Sequence, residues 1–221
     1  ASMSFKVEKH NEGSGPTCPA GAFVKVHYHG TLADGSVFDS SVQRNEPFEF
    51  QVGVGQVIKG WDEGVTQLKK GQKATLTCPP DYAYGADGYP PVIPKNATLT
   101  FQVELLEFST PVQCSHILLK HQGSRNPFDR LRNKEVTRSK QEAVSGIQDI
   151  RRRITEQGES FEQIAKQVSE CGSSQNGGDL GLFGPGQMQK AFEDAAFALQ
   201  VGQISDLVDT DSGIHIILRT A

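Results

Sequence analysis

The feature that most constrains this chain is a change of pattern near Ser109-Thr110-Pro111, in the middle of its 221 residues. Before this point, short runs typical of β-strands alternate with turns, as in FVKVHYHGTL and TLTFQVELLEF. Proline cannot donate a sheet hydrogen bond, so Pro111 ends one strand-like run just before the next begins at Val112. About 110 residues on each side are enough for a small core. The sequence therefore predicts two domains, 1–110 and 111–221.

One helix interrupts the strand-like runs of the first half. Its apolar positions recur at spacings of three and four, and the pattern stops before Gly71. These positions are Ile58, Trp61, Val65 and Leu68. Because this spacing places them on one face, we expect the helix to pack against a sheet formed by the strands.

The second half has a different pattern, in which amphipathic helices come before a terminal strand. The apolar spacing predicts a long helix over 137–157, beginning near a capping box from Ser139 to Glu142. A second box, from Ser160 to Gln163, predicts another helix, and the final run GIHIILRT alternates like a strand. The second half is therefore predicted to be α+β.

Composition narrows the class of protein. No apolar run approaches the roughly 20 residues that a membrane helix needs, and the opening residues Ala1-Ser2-Met3 lack the apolar stretch of a secretory signal. The four cysteines are scattered and lack the C-x-x-C spacing of zinc and redox motifs. We expect no metal and no cofactor, no membrane association, and a cytoplasmic protein with the nucleus as a second compartment.

Positive charge is concentrated in one segment, although the formal net charge of the chain is −4. Residues 120–153 contain ten lysines and arginines against four acidic residues. The run Arg151-Arg152-Arg153 is either a solvated helix face or a dock for acidic or phosphorylated partners. We do not expect nucleic-acid binding, because the overall charge is acidic and no known nucleic-acid motif accompanies the segment.

Aromatic residues between Tyr28 and Phe101 form the first candidate site. Their pattern alone is that of a packed core. However, the motifs VHYHGTLADGSVFDSS, PFEFQVGVGQVIKGWDEGV, GQKATLTCPPDYAYG and IPKNATLTFQVELL, in this order, resemble an FKBP domain over essentially its whole length. The resemblance implies an antiparallel sheet wrapped around a short helix, with a shallow apolar pocket between them. Trp61 matches the floor of that pocket, and the backbone amide of Ile58 would hold a carbonyl.

By the same resemblance, the first pocket binds proline segments and macrolides such as rapamycin. Asp39 and Tyr84 are its candidate catalytic residues, which would hydrogen-bond the twisted carbonyl or its neighbours. The binding residues that match are Tyr28, Phe38, Phe48, Val57, Ile58, Trp61, Tyr89, Ile93 and Phe101. Rotation about an X-Pro bond breaks no covalent bond, so such a pocket needs no nucleophile.

The second half contains a different set of chemically capable residues, namely His116, Cys171, Ser212 and His215. Their types alone leave three interpretations open: a metal site, a Cys-His hydrolase, and a hydrogen-bonded core histidine pair with an inert thiol. The motifs CSHILLKH, SFEQIAKQVSECGSS, GGDLGLFGPGQMQKAFEDAAFAL and TDSGIHIILRT resemble the parvulin isomerase domain over residues 112–221. This resemblance implies a small sheet surrounded by helices, with these four residues as the catalytic tetrad and Thr210 supporting the histidines. The proline pocket would contain Leu180, Met188, Gln189 and Phe192.

The loop KHQGSRNP, after the first strand of the second half, bears on phosphate binding. Lys120 and Arg125 match two basic positions of the relatives that select phospho-Ser/Thr-Pro, whereas Asn126 stands where that pattern has a second arginine. The resemblance therefore implies weakened phosphate binding, with Arg130 or Arg132 as a substitute. The WW module that often precedes such a domain is absent from this sequence, and the FKBP-like half stands in its place.

Together these resemblances predict a peptidyl-prolyl cis/trans isomerase with two independent sites that assists protein folding or conformational switching. Its expected partners are proline-containing peptides and proteins, including phosphoproteins. The alternative is a scaffold or chaperone that holds proline segments with little turnover.

Overall fold

A computed structural model describes residues 4–221, so the expectation for Ala1-Ser2-Met3 lies outside the described residues. The chain divides into two compact units between Thr110 and Pro111. The predicted α+β fold class is confirmed, since each unit combines an antiparallel sheet with a few helices. Within residues 4–221, no helix is both long enough and apolar enough to cross a membrane.

The first unit is built on a six-stranded antiparallel sheet with the order β1-β7-β8-β3-β4, in which β5 also pairs with β3. Its strands are β1 (Lys6–Lys9), β2 (Ser14–Thr17), β3 (Phe23–Thr31), β4 (Val37–Ser40), β5 (Phe48–Gln51), β6 (Lys69–Lys70), β7 (Lys73–Cys78) and β8 (Leu99–Ser109). Its helices are α1 (Ser41–Arg44), α2 (Lys59–Val65) and a 3-10 turn at Pro80–Tyr82. The sequence patterns did not predict α1 or the 3-10 turn.

Helix α2 packs on the sheet through the face that its apolar spacing predicts. Trp61 and Val65 are buried in the core together with Leu76 of β7. A Cβ atom at Gly64 would lie 3.0 Å from the Leu76 side chain, so glycine permits this close approach. The helix is shorter than predicted, because it ends at Val65 while Leu68 is buried in the following turn.

The second unit has a four-stranded antiparallel sheet with the order β12-β9-β14-β13. Its strands are β9 (Val112–Leu119), β10 (Phe128–Asp129), β11 (Lys134–Glu135), β12 (Asp179–Phe183), β13 (Val208–Thr210) and β14 (Gly213–Arg219). Its helices are α3 (Lys140–Thr155), α4 (Phe161–Val168), α5 (Lys190–Ala198) and a 3-10 turn at Gly172–Asn176. One face of the sheet packs with α3 and α4, and the other packs with α5.

Helix α3 begins where its predicted capping box places it. The Ser139 hydroxyl accepts from the Glu142 amide at 3.1 Å, and the Glu142 carboxylate accepts from the Ser139 amide at 3.0 Å. The helix is shorter than the predicted 137–157 because Ser139 itself is the cap and extended. At α4, the Ser160 hydroxyl accepts from the Gln163 amide in the same way.

The arginine run on α3 is paired within the chain. Arg151 donates to the Ser205 carbonyl at 2.9 Å, Arg152 pairs with Asp149, and Arg153 makes two bonds to Glu159. These partners favour the interpretation of a solvated helix face over that of a dock for acidic partners.

Candidate functional sites

The first candidate site is a cluster of aromatic rings around Trp61. The indole is buried, and its ring centroid lies 4.9 Å from Tyr28, 5.2 Å from Phe101 and 6.0 Å from Phe48. All three neighbours approach it edge to face, an arrangement that aromatic quadrupoles favour. Trp61 therefore occupies the centre of the site, the position expected for its floor.

Phe50 belongs to the same cluster but was not predicted. Its ring lies 5.5 Å from Trp61 and 5.3 Å from Phe48, and the residue is buried. The signal was present, because Phe48 and Phe50 are two residues apart on β5 and therefore share a face of the sheet.

The remaining apolar residues predicted for this site pack beside the cluster. The Phe38 ring lies 5.5 Å from Phe101, and Val57 and Ile58 are half-buried against the same core. Ile58 precedes α2, and its amide makes no hydrogen bond to another residue in 4–221. That amide is free to donate to a carbonyl, as expected.

A polar trio stands at the side of this cluster. Asp39 accepts from the Tyr28 hydroxyl at 2.5 Å and is ion-paired with Arg44, which also donates to the Tyr28 oxygen at 3.0 Å. Burial, followed by the hydrogen bond to Asp39, raises the pKa of Tyr28. A carboxylate paired with a guanidinium only accepts hydrogen bonds, which narrows the expected role of Asp39 to orienting Tyr28. Arg44 was not predicted as part of the site.

Tyr84 and Tyr89 lie together at the exposed rim, with ring centroids 5.6 Å apart. Burial, with smaller contributions from Tyr89 and Asp39, raises the pKa of Tyr84, so its phenol keeps its proton at neutral pH. Tyr89 exchanges two backbone hydrogen bonds with Ile93, which is buried beneath the loop. Tyr84 is therefore the predicted residue of this pair that can donate a proton to a carbonyl.

The second candidate site is centred on two buried histidines from neighbouring strands. The Nδ1 atoms of His116 on β9 and His215 on β14 lie 3.0 Å apart, and one ring donates to the other. The Nε2 atom of His215 bonds to the Thr210 hydroxyl at 2.6 Å. Thr210 therefore supports the pair as expected, and the Phe192 ring packs edge-on against both imidazoles.

Burial keeps both histidines neutral at physiological pH. It lowers the pKa of His116 to about 3, with a further contribution from His215, and it lowers the pKa of His215 to about 4. A neutral imidazole pair can be enclosed without the large cost of burying a charge.

The predicted proline pocket surrounds this pair as a cavity of about 290 Å³. It is lined by His116, Cys171, Leu180, Met188, Gln189, Phe192, Thr210, Ser212 and His215, together with Arg125 and Gln187. Gln189 donates to the Ser212 hydroxyl at 2.9 Å and accepts from the Asp211 amide at 3.1 Å. The structure thus brings the predicted tetrad and all four predicted proline-pocket residues into one cavity. Gln187 was not predicted.

A second cavity, of about 620 Å³, carries the basic residues. It shares Arg125, Cys171 and Ser212 with the smaller cavity and is also lined by Lys120 and Arg130. The Lys120 ammonium donates to the Phe128 carbonyl at 2.7 Å. Asn126 lines the same cavity, at the position where the phospho-specific pattern has arginine.

Of the two proposed substitutes for the missing arginine, only Arg130 lines this cavity. Arg132 instead bonds the buried Asp129 carboxylate at 3.0 Å and the Gln167 and Ser169 carbonyls. The suggestion of Arg132 was wrong, because its guanidinium is used within the fold.

Comparison with known families agrees with this two-part construction. The model for the FKBP-type peptidyl-prolyl cis-trans isomerase matches residues 15–106, and the model for the PPIC-type PPIase domain matches residues 116–221. The chain is therefore a peptidyl-prolyl cis-trans isomerase. It belongs to the FKBP-type family through its first half and carries a PPIC-type, or parvulin, domain in its second half.

Curated relatives each resemble about half of this chain. The FK506-binding protein 1 of Rhizopus delemar is 63% identical over 108 residues, which are 48% of this chain and 100% of that protein. Peptidyl-prolyl cis-trans isomerase Fkbp12 of Drosophila melanogaster is 62% identical over 106 residues, 48% of this chain and 98% of that protein. The putative isomerase dodo of Drosophila melanogaster is 52% identical over 110 residues, 50% of this chain and 66% of that protein.

Proposed function

We propose that the chain has two independent isomerase sites, the first acting on apolar X-Pro bonds and the second preferring X-Pro bonds preceded by phosphoserine or phosphothreonine. The observation that carries the second part is the wall shared by the two cavities of the parvulin domain. Arg125, Cys171 and Ser212 line both. A proline in the smaller cavity therefore places its preceding residue beside the basic one.

The first site is suited to twisting an amide without breaking a bond. Rotation must overcome a barrier of about 18–20 kcal/mol, because it removes the resonance of the planar amide. Water stabilises the planar, more dipolar amide, so a cleft lined by rings favours the twisted form. The Ile58 amide holds one carbonyl, and the Tyr84 hydroxyl donates to a second.

The second site reaches the same end with buried polar groups. The neutral pair of His116 and His215 gives the proline cavity a polar wall without net charge, so the wall does not bind the dipolar ground state strongly. Selectivity comes from the larger cavity, where Arg125 and Arg130 supply charge-assisted contacts worth about 1.5–3 kcal/mol each. The scaffold alternative fits an enzyme family less well than turnover at both sites.

We further propose that the first site binds macrolides such as rapamycin, because its relatives are named for FK506 binding. The ring cluster around Trp61 offers the apolar floor that such a ligand needs. The cytoplasm and nucleus are the proposed compartments, a placement supported by four unpaired cysteines.

The test is the exchange rate, by NMR, of matched phosphoSer-Pro and Ser-Pro peptides with the full chain. Rapamycin first blocks the first site, and a His215→Gln variant defines the rate that remains without the second. We expect faster exchange of the phosphorylated peptide, and selective loss of that preference in Arg130→Gln and Arg125→Gln. Arg152→Gln, on the outer face of α3, is the matched control.

Equal rates for the two peptides would reject phosphate selection while leaving a general isomerase. Exchange unchanged by His215→Gln would reject the second site. Failure of rapamycin to lower exchange of an apolar X-Pro peptide would reject the macrolide part.

A further inference from the structure

The second unit has a third cavity, behind the sheet that carries the histidines. Its volume is about 350 Å³, near the lower end of the range of roughly 300–1,000 Å³ for small-ligand sites. Successive side chains of a strand point to opposite faces, so Ser115 lines this rear cavity whereas His116 lines the proline cavity. The rear cavity is therefore separate from the isomerase site, and a ligand bound there would add to the proposed function.

The lining of the rear cavity is rich in hydrogen-bond acceptors. It consists of Gln113, Ser115, Phe161, Glu162, Asn176, Gly177, Asp179, Leu218 and Thr220. Two carboxylates, two amide oxygens and two hydroxyls thus surround an apolar surface formed by Phe161 and Leu218. An aliphatic stem ending in a cation matches this combination, because the stem packs on the apolar surface while the head meets the acceptors.

Ser115 is the buried polar group of this cavity. The residue is only 8% exposed, and its hydroxyl has no hydrogen-bond partner within residues 4–221. Buried polar side chains usually have a partner, because leaving one unpaired costs free energy. A ligand donor in the rear cavity would supply that partner.

The charge in the cavity is only partly compensated. Asp179 accepts from neutral donors, the Gln113 amide at 3.1 Å and the Gly181 amide at 2.9 Å. Glu162 pairs with Lys166 at 3.1 Å on the exposed surface of α4. Among the described residues, one lysine therefore faces two carboxylates, which leaves a negative site.

We propose that the rear cavity binds an arginine side chain of a protein client. A guanidinium has five donors and no acceptor, so it can satisfy both carboxylates and the Ser115 hydroxyl at once. Lysine, with three donors at a single point, is the weaker ligand. The client would then be held by its proline at one face of the sheet and by a basic residue at the other.

The experiment is a titration of the full isotope-labelled chain, followed by amide chemical shifts. The probes are N-acetyl-arginine methylamide and the corresponding citrulline derivative, which has nearly the same shape but no charge. We expect saturable shifts at Ser115, Gly177 and Asp179 with arginine, and about tenfold weaker binding of citrulline because the charge-assisted contacts are lost. Equal binding of the two probes, shifts confined to the residues around His116, or no shifts would each overturn the proposal.

Variants make the test specific to these carboxylates. Asp179→Asn keeps an acceptor for the Gly181 amide but removes the charge, and we expect about tenfold weaker arginine binding. Lys166→Gln frees Glu162 and should strengthen binding severalfold. Asp149→Asn, on the outer face of α3, is the control and should bind as the unaltered chain does. Unchanged isomerisation by all three shows that they fold, and unchanged arginine binding by Asp179→Asn would overturn the proposal.

Discussion

The two isomerase sites use opposite arrangements of polar and apolar groups. In the first, apolar rings form the buried floor around Trp61, and the polar trio of Tyr28, Asp39 and Arg44 stands at a half-exposed edge. In the second, the polar histidines are buried and held neutral. An X-Pro bond can thus be served by an apolar floor or by an uncharged polar one, because the reaction moves no proton and breaks no bond.

The largest expected effect is that of Trp61→Ala, which tests whether the first site is also the core of its unit. Removing a buried aromatic side chain costs about 3–5 kcal/mol of unfolding free energy. Residue-resolved hydrogen exchange should show this loss in β3, β7 and β8 but not in β9 or β14. Equal loss of protection in both units would contradict the separation of the two cores.

Acid should single out the second site. Unfolded histidines titrate near 6.5, whereas the buried rings of His116 and His215 have pKa values of about 3 and 4. Below pH 6.5 the unfolded chain binds protons that the folded chain does not, so stability falls as the pH falls, until each folded pKa is reached. The loss is roughly 2 kcal/mol for each ring at pH 5.

Hydrogen exchange of β9 and β14 at pH 7.5 and pH 5 measures this loss. A His215→Gln variant should show about half the pH dependence. Imidazole carbon shifts provide a direct check, since a folded chain with protonated rings at pH 5 would refute the expectation.

A matched pair of hydroxyl deletions compares the polar groups of the two sites. Thr210→Val leaves the buried Nε2 of His215 without its partner, at a cost of about 1–3 kcal/mol. Tyr28→Phe removes a hydrogen bond to Asp39, which stays paired with Arg44, and should cost about 0.5–1.5 kcal/mol. Urea unfolding followed by residue-resolved exchange measures both, and a larger cost for Tyr28→Phe would reverse the comparison.

The smallest effect is that of Ser139→Ala, which separates stability from activity in the second unit. Losing this helix cap should cost about 1 kcal/mol. Peptide exchange rates at saturating folded protein should be unchanged at both sites. A Ser139→Asp variant, which can still cap, should restore the stability.

Sequence patterns predicted the elements that depend on local chemistry. The capping box at Ser139 and the strand through His215 are examples, because each depends on residues close together in the chain. Arg44 was missed because it reaches Asp39 only through the turn into α1. Arg130 and Arg132 are equivalent by sequence, and only the buried Asp129 distinguishes them. The rear cavity was not predicted, because its lining comes from β9, β12, α4 and β14.

The wall shared by the two parvulin cavities also has a consequence for inhibitor chemistry. Arg125, Cys171 and Ser212 border both spaces, so a cyclic apolar fragment and an anionic fragment would bind with their near ends at the same three residues. A short linker between them would turn the second binding event into an intramolecular one and raise its effective concentration. Two weak fragments could therefore be joined into one tight inhibitor without a long tether.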